Sequence, residues 1–274
     1  MEGLFPATSR AAYFSIDGAN FSTLKHFAKS PAHVAEFLLH PPPSTPAMIL
    51  GTHIHAAVLE PARFDRDYVL APKVDRRTTV GKAAWATFEA ENAGKELLDR
   101  DDFDLVLGIR DAVWAHPTAK ALLSGAGHCE VGAVWKHERT GLACKGMMDR
   151  IGAHGGWTWI VDLKTCEDAS PAGFARSVAN YAYHAQAAFY LGGCNAIAPM
   201  KRRFAWIAVE KKPPYAVAVY EPDSIALDTG ERRCEDWLDA YAECRRTDVW
   251  PGYPDDIQSI ALPKWATREE TFSE

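Results

Sequence analysis

The stretch from Cys129 to Thr165 constrains this chain most, because it reads as three strands in a row. "CEVGAVWKH" alternates in character, and "ERTG" supplies a turn. "LACKGMMDRIGAH" and "WTWIVDLKT" then follow on either side of Gly155-Gly156. Alternation at period two marks strands. A Gly-Gly pair suits a two-residue hairpin turn because glycine accepts positive φ. An antiparallel meander follows, and it needs a second layer to bury its apolar face.

The flanking sequence supplies that layer. Upstream, "NFSTLKHFAKSPAHVAEFLLH" has helical apolar spacing broken near Ser30-Pro31, and "HPPPSTP" is a rigid turn. "AMILGTHIHAAVLEP" reads as a buried helix ending before Pro61. "GKAAWATFEAENAGKELLD" and "DFDLVLGIRDAVWAH" read as two amphipathic helices. Downstream, "PAGFARSVANYAYHAQAAFYLGGC" is helical with a break near Asn180. "RFAWIAVE" and "YAVAVYEP" are two more strands hinged at "KKPP". "PDSIALDTGERRCEDWLDAYAECRRTD" is a long helix, and the tail "VWPGYPDDIQSIALPKWA" is irregular. The expected fold class is α/β (or α+β), a single domain over 1–274. Residues 1–125 form a mostly helical layer, and 126–274 carry the sheet and the C-terminal helices.

A chain of 274 residues that is 47% hydrophobic can bury a substantial core. No apolar run is long enough to span a bilayer. The start "MEGLFPATSRAAYF" lacks the charged-then-apolar order of a signal peptide, so a cytoplasmic location is expected. The six cysteines form no C-x-x-C pair, which disfavours a zinc ribbon or a local iron–sulfur motif; free, mostly buried thiols are expected. The formal charge of −6 argues against a surface coated in basic groups, yet leaves room for a basic groove beside an acidic site.

The chemistry concentrates on the hairpin. Asp162 and Lys164 stand two residues apart in a strand and so point the same way. If Gly155-Gly156 is the turn, His154 pairs with Trp157 and Asp149 lies opposite Asp162. Directly opposed residues share a face with Cβ atoms roughly 5 Å apart. Two carboxylates there repel, and a divalent cation between them reverses the sign. Asp149, Asp162 and Lys164 on one face match the logic of metal-assisted phosphodiester hydrolysis. The carboxylates hold the ion, the ion stabilises phosphate charge and acidifies a water, and the lysine steadies developing negative charge. A D-x-K pair by itself is more often a surface ion pair; a second aspartate opposite it makes the two readings even.

"GMMDRIG…WTWIVDLKT" followed by "YAYHAQAAFY" resembles the PD-(D/E)xK nuclease superfamily, and more closely the exonuclease VIII (RecE-type) nuclease domain. "GTHIHAAVLEP", "CEVGAVWKHERTGLACKGMMDR" and the tail "CRRTDVWPGYPDDIQSIALPKWA" fit the same family, so the likeness runs from about Ser22 to the end. It implies a central mixed sheet flanked by helices. It also implies a Mg²⁺-dependent enzyme (Mn²⁺ substituting) that degrades one strand of double-stranded DNA from its 5′ end. Further implications are a single-strand annealing protein as partner and a homo-oligomeric ring, trimer or tetramer. By the same resemblance His55, Asp149, Asp162 and the Leu163 carbonyl hold metal, and Lys164 is the catalytic lysine. Gln186 and Tyr190 match a Q-x-x-x-Y helix, and Glu130 is an acidic residue on the preceding strand that holds a metal through water.

Each assignment has a plainer rival. His53 competes with His55; on a helix the two are about 200° apart and cannot face one ion. Glu130 is equally a solvent-facing strand residue. Gln186 and Tyr190 are equally ordinary helix packing, and His184 reads as structural. Arg76, Arg77 and Lys82 lie in a turn-rich segment that is either a solvated loop or a grip on DNA phosphates. An endonuclease or repair nuclease of the same fold and a catalytically silent DNA-binding module are the alternative functions.

Overall fold

The protein is described by a computed structural model covering residues 2–6 and 8–262. The end of the tail motif, 263–266, lies outside the described residues. The central sheet comprises β1 (Gly3–Phe5), β4 (Gly127–Lys136), β5 (Ala143–His154), β6 (Trp157–Cys166), β7 (Arg202–Glu210) and β8 (Val217–Tyr220), side by side in that order. Two further strands, β2 (Tyr68–Leu70) and β3 (Glu96–Leu98), pair in parallel as a separate ribbon. The helices are α1 (Arg10–Ser15), α2 (Phe21–Leu24), α3 (Pro31–Leu39), α4 (Pro46–Leu59), α5 (Pro61–Asp67), α6 (Thr79–Glu91), α7 (Arg100–Ala115), α8 (Pro117–Ser124), α9 (Pro171–Asn180), α10 (Tyr183–Ile197) and α11 (Ser224–Thr247). The sheet is mixed: β6 and β7 run parallel and every other neighbouring pair is antiparallel. This is the mixed sheet flanked by helices expected of a PD-(D/E)xK core.

Local chemistry explains where the helices begin. The Thr45 hydroxyl accepts from Met48 N–H ahead of Pro46 to start α4, and the Asp99 carboxylate accepts from Asp102 N–H to start α7. Ser170 and Asp223 cap α9 and α11 in the same way. Each side chain satisfies a backbone N–H that has no partner within the helix. α11 ends with Arg245 and Arg246 in its last turn, where cations meet the negative end of the helix dipole. "GKELLD" departs from its expected helical form. α6 stops at Glu91, Gly94 turns with φ +83°, and Glu96–Leu98 becomes β3.

The sheet is covered on both faces, so its central strands are apolar on both sides. Ile160 and Cys166 of β6, with Phe204, Trp206 and Ala208 of β7, join a core completed by Phe174, Phe189, Trp237 and Leu238 from α9, α10 and α11. Val161, Leu163, Ala205, Ile207 and Val209 join a second core with Ile54 and Val58 of α4, Ile109 and Val113 of α7, and Leu122 of α8. α4 and α10 therefore lie on opposite faces of β6. All six cysteines are free thiols and five are buried. Among the described residues, no helix is long and apolar enough to cross a membrane.

The N-terminal segment is tied down by Lys145 of β5. Its buried ammonium donates to the Tyr13 and Ile16 carbonyls, at 3.1 and 2.5 Å, and lies over the Tyr13 ring. On the other side, α11 crosses α10 so closely that a Cβ on Gly230 would collide with the His184 backbone. Gly192, on an open part of α10, has nothing within 4 Å of such an atom. Gly230→Ala should therefore cost about 1–3 kcal/mol of stability by overpacking. Gly192→Ala should gain up to about 1 kcal/mol from helix propensity. Urea denaturation midpoints of the two variants check this, and the reverse order would refute the packing account.

Candidate active site

The hairpin ladder has the register counted from Gly155-Gly156: His154 pairs with Trp157, and the pairs continue to Arg150 with Val161. There β5 leaves β6, so Asp149 and Asp162 stand at the fork. In a strand the N–H and C=O of one residue point to the same neighbour, and those of Leu163 lose their β5 partners at this fork. Both are taken up by side chains. Leu163 N–H donates to Asp149 Oδ2 at 2.7 Å, and the Leu163 carbonyl lies 3.1 Å from His55 Nε2. His55 Nδ1 is 3.4 Å from Asp149 Oδ1. α4 places His55 here. His53 instead contacts the Tyr68 ring and Glu96, away from the fork.

The alternation of side chains slips at the same point. Met148 lies in the core under α10, yet Arg150 donates to the Leu122 carbonyl at 3.2 Å and to the Gly125 carbonyl, at the end of α8. On β4, Val131 lies in the α10-side core, while the Cys129 thiol reaches the Leu59 carbonyl of α4. The ladder pairs Cys129 with Arg150 and Val131 with Met148; Glu130 and Asp149 lie between these two pairs. Glu130 adopts φ +49°, a left-handed conformation costly for a residue with a Cβ. A single shared face for Asp149, Asp162 and Lys164 is therefore corrected. Asp149 sits at the slip and turns to His55, whereas Asp162 and Lys164 follow Ile160 toward α10.

Lys164 Nζ lies 2.6 Å from Asp162 Oδ2 and 4.7 Å above the Tyr183 ring. The ion contact with Asp162 is not aligned as a hydrogen bond, so this buried carboxylate oxygen has a charge partner but no aligned donor. Burial, opposed by Lys164, pushes the Asp162 carboxyl up to about 6. Burial also acts to raise Asp149, but His55 and the Leu163 N–H outweigh it and hold Asp149 below the usual range. His55 is raised: desolvation pulls it down most strongly, and the nearby carboxylates, Asp149 first, more than offset that. Lys164 is raised by the same two aspartates against its own burial. The two carboxylates thus differ sharply in acidity at close quarters.

The remaining expected residues fall into two groups. Glu130 lines a cavity of about 300 Å³ together with His55, Ser9, Thr52 and Arg63. Gln186 donates to Tyr190 Oη at 3.2 Å on α10, and Tyr190 lies flat enough on β5 that a Cβ on Gly146 would stand 2.9 Å from its ring. Burial raises the Tyr190 phenol well above its ordinary value. These three residues border the fork. No contact joins Arg76, Arg77 and Lys82, around the start of α6, to it. Arg76 stacks on Trp85, and Arg77 is held by both oxygens of Asp75. His184 Nδ1–H donates to the Val178 carbonyl at 3.2 Å, a structural contact. Three neighbours were not anticipated: Tyr183 beneath Lys164, the buried Arg150, and Lys25. Lys25 has its pKa lowered by desolvation first and then by the charge of Lys164. Only the "Y-x-Y" before the Q-x-x-x-Y helix could have flagged the first.

Among the described residues, no three His, Cys, Asp or Glu side chains stand ready-arrayed around a metal position. The donors do converge once the backbone is counted: two carboxylates, one imidazole and the Leu163 carbonyl. The buried Asp162 oxygen without an aligned donor is the observation that fits a cation. Hard oxygens with one nitrogen suit a divalent cation.

Comparisons with known proteins agree with this architecture. Residues 20–263 match a family described as "PDDEXK-like domain of unknown function (DUF3799)". A solved structure from Eubacterium rectale, described as a "Putative exonuclease", is 15% identical with TM-score 0.62, covering 93% of this chain and 96% of that one. At that identity the likeness speaks for the fold. SSO0001 (15% identical, 70% of this chain and 85% of that one, TM-score 0.30) and VC1899 from Vibrio cholerae (9%, 84% and 57%, TM-score 0.24) share too little shape to carry an argument. No curated protein matches the chain. PD-(D/E)xK nucleases generally use divalent metal ions, which accords with the donor set at the fork. With the match spanning most of its length and the fold in agreement, this chain belongs to the PDDEXK-like family DUF3799.

Proposed function

We propose that this protein is a metal-dependent exodeoxyribonuclease that degrades one strand of linear double-stranded DNA from its 5′ end. The observation that carries the reading is the fork, where Asp149, Asp162, the Leu163 carbonyl and His55 converge beside Lys164. Those four groups would hold Mg²⁺, which when bound supplies charge stabilisation at the phosphate and an acidified water. Lys164 is held in place by Asp162 and the Tyr183 ring, so its ammonium is a fixed positive charge where the phosphate gains negative charge. Asp149 orients His55 and restrains the strand end through Leu163 N–H. Glu130 lines the neighbouring cavity and would act through water; Gln186 and Tyr190 form the opposite wall.

Polarity and end-dependence rest on the resemblance to RecE-type nucleases, and so do the partners. In this reading the protein forms a homo-oligomeric ring around DNA and works beside a single-strand annealing protein. Exposed Lys82, with Arg76 and Arg77, grips the DNA backbone.

Lys164→Ala should lower digestion of linear duplex by at least about 100-fold, since a preorganised charge of this kind is worth that much. Its melting temperature and DNA binding should stay near wild type; retained cleavage by that variant would reject the assignment. With linear duplexes labelled at either end, Mg²⁺ should produce loss from the 5′ label first, and EDTA should stop it. A covalently closed circle should survive; nicking of the circle would make the protein an endonuclease of the same fold. Light scattering should give about three or four times the 30.2 kDa chain mass, and a monomer would exclude the ring.

A further inference from the structure

The side of the fork away from His55 carries an aromatic wall of which the chemistry above uses only the Tyr183 ring, as a support for Lys164. Tyr183, the first residue of α10, lies beneath the Lys164 ammonium. Tyr181 stacks on Tyr183 with centroids 5.5 Å apart and planes 27° from parallel, and it is 63% exposed. On a continuous helix two such residues would diverge by about 200°. They stack because Ala182, between them, is left-handed, with φ 55° and ψ 36°. A left-handed residue other than glycine is strained and persists where its surroundings over-determine it. The strain thus aligns two rings, the outer one in solvent, next to the reactive lysine.

The adjoining cavity, of about 420 Å³, is bounded by both tyrosines, Thr165, Ser177 and Asn180. Its charged groups are matched with one another: Lys211 with Glu167 at 2.5 Å, and Arg176 with Asp168 at 3.4 Å. Such a space has little net charge left for a phosphate. It offers an aromatic surface and an amide, the chemistry that receives a flat, neutral, hydrogen-bonding ring.

We infer that Tyr181 and Tyr183 form a stacking platform for a nucleobase flanking the scissile phosphodiester, with the cavity taking the splayed base. The inference rests on the nuclease reading for its substrate and on the ring geometry for its site. Stacking on Tyr181 fixes the strand in register, so that the phosphate meets Lys164. Tyr181 is a positioning residue, since it contacts the substrate away from the reacting atoms.

The test uses single-stranded DNA carrying 2-aminopurine near its 5′ end, mixed with full-length protein in EDTA so that nothing is cut. Stacking quenches the probe. Tyr181→Ala should lose most of the quenching and bind about 5- to 150-fold more weakly, the range for one base–aromatic stack. Tyr181→Phe should keep both, and Tyr181→Trp should quench more strongly. Wild-type quenching and affinity in a Tyr181→Ala protein of unchanged melting temperature would overturn the platform. If that variant does not fold, unchanged quenching in Tyr181→Trp would overturn it instead. The two readings fail separately. Digestion by wild type with unaltered quenching in Tyr181→Ala removes the platform alone. Tyrosine-dependent quenching in a wild-type protein that digests nothing with Mg²⁺ or Mn²⁺ keeps the platform and removes the nuclease.

Discussion

The separation of β5 from β6 beyond the Arg150–Val161 pair is the constraint on which the rest of the structure depends. Opening a ladder leaves backbone donors and acceptors that must find partners. Here they find Asp149 and His55, so the same two contacts that repair the backbone also assemble the site. Because β6 stays paired with β7 along its whole length, the fork opens on one side only. Leu163 remains buried while its N–H and carbonyl meet Asp149 and His55.

The electrostatics follow from that geometry. Two carboxylates, an imidazole and an ammonium share a region from which water is largely excluded, and each shifts the others. Asp149, satisfied by His55 and an N–H, is the stronger acid; Asp162, with only an unaligned lysine, is the weaker. A cluster with one under-satisfied oxygen is poor design for stability. Such an oxygen is what a cation-holding site needs.

Much of this was readable from residues alone, for identifiable reasons. The hairpin register followed from Gly155-Gly156 because a two-residue turn leaves one way to count. The break in the α9–α10 region followed from the composition around Asn180. Three-residue strands such as β1, β2 and β3 carry too few residues to show a period, and β3 hid at the end of an apparent helix. The slip at Glu130 and Asp149 was invisible because a polar residue violates no pattern on either side of a strand. The role of Tyr183 lies in the lysine above it, which only the tertiary fold brings near.

The bare Cα of Gly146 has a consequence beyond the room it makes for Tyr190. Helix α10 rests on β5 at this point through the Tyr190 ring, with no side chain from Gly146 beneath it, so the depth at which the helix settles depends on that bare backbone. The opposing wall, through His55, is carried by α4 from the other side of the sheet. The aperture offered to a substrate is therefore a mechanical property of two hydrophobic layers, and a methyl group added far from any reacting atom would be enough to change its width.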